Sequence, residues 1–151
     1  MKKCLTFLLP FSFAALICAA EKNSALPRQP SPAGAEVYIA SLDDGAVVGK
    51  KVNVVFGLRG MGICPAGIVG KDGNPIPNTG HHHLLIDACS LPPMDSPLVA
   101  SDSLKHFGLG QTETTLELAP GKHTLQLIFA DFAHIPHNPP VVSKKVTITV
   151  K

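Results

Sequence analysis

Proline and glycine interrupt this chain so often that its body has no room for a long helix. Of 151 residues, fourteen are Pro and thirteen are Gly. From Glu36 onward one or the other breaks nearly every apolar stretch before a three- and four-residue spacing can repeat. What survives between the breaks is alternation. Residues 51–58 put Val52, Val54, Phe56 and Leu58 on one side, and Val146, Ile148 and Val150 face away from Thr147 and Thr149. Residues 37–39, 81–88, 112–118, 123–130 and 141–150 read as further strands, and Ala119-Pro120-Gly121 as the turn of a hairpin over 112–130. Turn-rich connections and two longer loops, 59–80 and 89–111, complete the pattern. The expected fold is all-β, an immunoglobulin-like antiparallel β-sandwich occupying 36–151 as a single domain.

The start of the chain has a different character. Lys2 and Lys3 precede an apolar run over 4–19, and Cys18-Ala19-Ala20 offers small side chains before Glu21. Residues 1–20 therefore read as a signal peptide, and the mature protein as periplasmic or secreted. The run is short and contains Pro10, so no membrane span is expected to remain. Ile17 is too bulky for the position before a lipidated cysteine, which disfavours an anchor at Cys18. Residues 21–35, rich in Pro, Ser and Ala, read as a flexible linker. Cleavage would remove Lys2 and Lys3 and bring the formal charge from +2 to neutral, which argues against nucleic acid as a partner. It would also leave Cys64 and Cys89 in an oxidising compartment. There a disulfide between them is the default, with free thiols or metal ligation as the alternatives.

Seven histidines stand out in a chain with only 16% charged residues. In a sandwich, strands run up and down and loops gather at two poles. If 81–88 and 123–130 pair antiparallel, the start of one lies beside the end of the other. His81, His82 and His83 then share a pole with His134 and His137, and His106 arrives there from the 89–111 segment. His123 is left at the opposite pole. Along 81–87, His82 shares parity with Leu84 and Ile86, whereas His81 and His83 share parity with Leu85 and Asp87. A His-x-His pair points two imidazoles in one direction, which is half of a metal site. His134 and His137, on a segment braced by Pro136, Pro139 and Pro140, are candidates for the rest, with Asp131 as an oxygen ligand or a hydrogen-bond acceptor behind a ligand. Parity leaves open whether His81 and His83 or His82 meets them. Imidazole donors suit copper or zinc rather than calcium or magnesium. The bland alternative is a polar rim whose imidazoles are satisfied by backbone carbonyls. No GxSxG, P-loop, dinucleotide-binding glycine pattern or HExxH is present.

The segments GLRGMGICPAG (57–67), TGHHHLLID (79–87), LPPMDSP (91–97), HFGLGQTETTLELAPGKHTLQLIFAD (106–131) and HIPHNPPVVSKKVTITV (134–150) closely resemble the bacterial family catalogued as domain of unknown function 4399. The resemblance implies an exported β-type domain and carries no catalytic residues to transfer. Members commonly have a small or apolar residue where Cys64 and Cys89 stand. The two cysteines thus depart from the family as a pair, which fits a disulfide and weakens any Cys-based catalysis. The functional expectation is a transition-metal binding module rather than an enzyme. A metal-free structural or adhesion module with structural rim histidines is one alternative, and a redox enzyme with His-bound copper or iron is another.

Overall fold

A computed structural model describes residues 27–151. The expected signal peptide and the first part of the expected linker lie outside the described residues. Ten strands follow in chain order: β1 (Glu36–Ile39), β2 (Val47–Val48), β3 (Lys51–Arg59), β4 (Gly62–Ile63), β5 (Thr79–Ile86), β6 (Leu104–His106), β7 (Glu113–Glu117), β8 (Gly121–Ala130), β9 (Pro136–Val142) and β10 (Val146–Val150). No helix among the described residues is long and apolar enough to cross a membrane.

Two sheets make the sandwich. The smaller has the order β1-β3-β7, and the larger β2-β10-β8-β5-β4, with β6 also on β5 and β9 also on β8. Pairing is antiparallel except for the short β10–β2 and β4–β5 contacts. The alternating residues read from the sequence form the interior: Val52, Val54 and Phe56 meet Leu84, Leu125, Leu127, Phe129 and Ile148 across the gap. Burying these side chains drives assembly, at roughly 1.5–3 kcal/mol for each large aliphatic or aromatic group.

The structure corrects several local expectations. The hairpin over 112–130 does not form. β7 pairs with β3, whereas β8 pairs with β5, β9 and β10, so the Pro120 turn carries the chain from one sheet to the other. Both strands present an apolar face to the same core from opposite sides, a fact that alternation cannot distinguish from adjacency. The expected strand 141–150 is divided. Ser143 breaks it by accepting the Leu127 N–H through its hydroxyl and donating that hydroxyl to the Lys144 carbonyl. The two long loops contain β4 and β6, both too short to show a period.

The described part of the expected flexible linker is tied down. Asn138 N donates to Gln29 O at 2.9 Å and Ser31 N to Asn138 O at 3.3 Å. The Arg28 guanidinium donates to the carbonyls of Pro136 and His137.

The disulfide expected between Cys64 and Cys89 is not formed; both are free thiols, Cys64 buried and Cys89 exposed. The reason is the length of β5. Cys64 N bonds Gly80 O at its start, and Cys89 follows its end. Eight extended residues separate such ends by about 26 Å at about 3.3 Å per residue.

Candidate metal centre

β5 is buried on both faces, against the main core on one side and a second apolar cluster on the other. Its start can press closely on β8 because residue 80 is Gly: a Cβ there would collide with the Ala130 carbonyl. One face belongs to the main core. There His82 lies between Phe56 and Phe129, with ring centroids 5.0 and 5.2 Å away. The other face carries His81, His83 and Leu85 over a second apolar cluster of Leu85, Leu98, Leu104, Ile128 and Ala130. His81, His82 and His83 are all 0% exposed.

β6 delivers His106. Its register sets His106 opposite His83, and the two rings stack at 5.0 Å and 28°. His134 comes from the turn between β8 and β9. Asp131 Oδ1 accepts the N–H groups of Ala133 and Ile135, each at 2.9 Å, and the Leu98 N–H caps the His134 carbonyl at 2.9 Å. The turn holds His134 at φ 68°, a conformation uncommon outside glycine and worth 1–3 kcal/mol in typical strained sites. The His134 ring sits 4.7 Å from that of His106 and 5.0 Å from that of His81. One donor nitrogen from each of His81, His83 and His106 falls within a 4.8 Å set.

The ring nitrogens divide these histidines into two kinds. Neither nitrogen of His81 nor of His83 has a hydrogen-bond partner. His137 contrasts with them: its Nε2 is 3.2 Å from Thr79 O and its Nδ1 3.5 Å from Phe129 O. A buried polar atom without a partner costs roughly 1–3 kcal/mol, so four on two adjacent imidazoles call for a ligand. His82 also lacks partners of normal geometry. It faces aromatic rings rather than other donors, however, and no second ligand accompanies it.

Electrostatics keep His81 and His83 uncharged at neutral pH. Burial first, and then repulsion from the surrounding histidines, lower the His83 pKa to about 2 and that of His81 to about 3. His106 is also lowered, by burial and then by His134. In the core, burial takes His82 to about 4 against a modest opposing pull from the Gln111 backbone. His137 is lowered chiefly by burial, with the Phe129 and Thr79 carbonyls and Asp131 opposing. Neutral imidazoles at one point, with lone pairs unspent, have the chemistry of ligands.

Of the residues expected at this pole, the structure brings together His81, His83, His106 and His134. It separates three. His82 points into the core. His137 stacks on Phe129 at 5.9 Å and spends its nitrogens on backbone carbonyls. Asp131 shapes the His134 turn with its carboxylate. Parity along β5 had left a choice between His82 and the His81/His83 pair, and the second face holds the pair. The left-handed backbone at His134 has no signature in sequence.

Residues 54–151 match the family model described as domain of unknown function (DUF4399). No curated protein and no solved structure matches the chain.

Proposed function

The chain belongs to the family described as domain of unknown function (DUF4399), and we propose that this member is a transition-metal binding module. His81, His83 and His106 are the ligands, and His134 closes the site. The observation that carries the reading is the pair of fully buried imidazoles, His81 and His83, with all four nitrogens unpartnered. His137 shows the satisfied structural alternative, and His82, which shares the unpartnered nitrogens, faces Phe56 and Phe129 and no other donor. His81 and His83 instead lie with His106 at ligand-forming distance.

An all-imidazole donor set fits copper or zinc. His106 is exposed while His81 and His83 are buried, so an ion can enter and leave along the His106 side. That arrangement favours carriage or delivery over a sealed structural site. The apolar 4–19 run supports placing this activity in the periplasm or outside the cell, where metal is taken up before it reaches the cytoplasm.

Calorimetric titration of untagged protein with Zn(II) and Cu(II) tests the proposal. One equivalent is expected to bind tightly to the wild type. His83→Ala is expected to weaken that binding by more than roughly 100-fold, beyond the usual effect of removing a group behind a ligand. Equal affinity in both proteins would overturn the assignment.

A further inference from the structure

A buried thiol borders the histidine cluster. β4 pairs parallel with β5, Gly62 opposite Thr79 and Ile63 opposite Gly80. The hydrogen bonds extend this register one residue further, from Gly62 N to Asn78 O at 2.9 Å and from Cys64 N to Gly80 O at 2.7 Å. Cys64 is therefore opposite His81. Facing residues of neighbouring strands project to the same side of a sheet, with strands about 4.8 Å apart. The Cys64 side chain is on the His81/His83 side.

A second contact places the same turn against His106. Ala66 N donates to Gly108 O at 2.8 Å, and a Cβ added at Gly108 would strike the His106 ring and sit tightly against the Ala66 methyl. The Cys64–Ala66 turn thus flanks two of the three clustered histidines. Cys64 is 8% exposed and unbonded to Cys89, and the imidazoles beside it are fully buried with unpartnered nitrogens.

Resting on the metal-site reading above, we propose that Cys64 makes this a mixed imidazole–thiolate site that holds copper as Cu(I). The thiol is outside the 4.8 Å set of donors, and ligation requires it to move into that set. On binding, the Sγ–H bond is replaced by Sγ–Cu(I), the proton passes to water, and the copper oxidation state is unchanged. Thiolate is a soft donor that also suits zinc, and for copper it favours the Cu(I) state over Cu(II), a choice that imidazole alone leaves open. Cys89, past the far end of β5 and exposed, takes no part.

The test compares Cu(I) and Zn(II) affinities of the wild type, Cys64→Ser, Cys64→Ala and Cys89→Ser under anaerobic reducing conditions, with a chromophoric chelator as competitor. Both Cys64 variants are expected to lose roughly tenfold or more in Cu(I) affinity, with a loss in Zn(II) affinity as well because thiolate also ligates zinc. Cys89→Ser is expected to match the wild type. Copper-edge X-ray absorption on Cu(I)-loaded protein adds a readout that packing defects do not mimic: a sulfur shell in the wild type that Cys64→Ala lacks. Unchanged Cu(I) affinity in both Cys64 variants, or no sulfur shell in the wild type, would overturn this inference. If Zn(II) still bound through His83 in that case, the histidine site would stand without it. Failure of the wild type to bind either ion would overturn both.

Discussion

β8 passes two histidine environments, one near each end. Near its start His123 has both ring nitrogens occupied, Nδ1 at 2.7 Å from Asp87 Oδ2 and Nε2 at 2.8 Å from Ala119 O. Near its end, opposite Ala130, lies His81 with neither nitrogen occupied. The carboxylate beside His123 raises its pKa, while burial and neighbouring imidazoles lower that of His81. The same side chain is a satisfied structural group at one pole and an unspent donor at the other. Burial alone does not make that difference, since His137 is as buried as His81 and has carbonyls for its nitrogens. What distinguishes the cluster is burial among other imidazoles, which offer one another lone pairs but no carbonyl acceptors.

The largest effect expected from breaking this comparison is on metal affinity. His81→Ala and His83→Ala should each abolish tight binding, while His123→Ala leaves the affinity within about twofold in calorimetry. A comparable loss in His123→Ala would erase the distinction between the poles.

Acid stability comes next. His81, His82 and His83 titrate lower in the folded protein than their ordinary value of 6.5, so the unfolded chain takes up protons that the folded one refuses. Metal-free stability is therefore full above about 6.5 and falls as the pH drops towards the depressed folded values. Each refused proton contributes a slope of about 1.4 kcal/mol per pH unit. Denaturant midpoints between pH 7.5 and 5 should show a steep decline that His81→Leu and His83→Leu flatten. A flat profile in the wild type would mean these imidazoles are hydrated or already paired.

His82 separates the two faces of β5. His82→Leu replaces an unpartnered ring between Phe56 and Phe129 with an apolar group, and is expected to leave metal affinity within about threefold while holding or raising the melting temperature. A collapse of metal binding would place His82 in the site.

The smallest effect belongs to the other pole. His123 has a raised pKa owing first to its bond with Asp87, so its contribution is present below about 6.5 and is lost as pH rises through the raised folded value. Asp87 is largely exposed, and the pair should add little and fade with salt. Asp87→Asn should remove this weak rise in stability towards acid and leave the steep decline of the metal-free protein unchanged.

Much of this arrangement was readable in residue order, and the unread part has a common cause. Alternation in 51–58 identifies Val52, Val54 and Phe56 as core because each strand's period reports its own burial. The same period placed His81 and His83 together, apart from His82. Period carries no information about neighbours, which is why 112–118 and 123–130 resemble a hairpin yet join different sheets. It is also silent on His106, whose three-residue strand is defined by pairing with β5. His137 and Asp131 matched the composition of a metal site, but their polar atoms go to the backbone, a use that depends on φ and ψ rather than residue type. The Cys64–Cys89 pairing failed for a related reason: closeness along the chain cannot overcome a rigid strand between the two positions.

Thermal melting of the untagged, metal-free protein, repeated with excess Zn(II) or Cu(II), tests the central claim most directly. A tight native site raises the midpoint as metal concentration rises, by an amount equivalent to about 2.7 kcal/mol at a hundredfold excess over Kd. The same midpoint with and without metal would contradict the account and leave the buried imidazoles of His81 and His83 as structural groups.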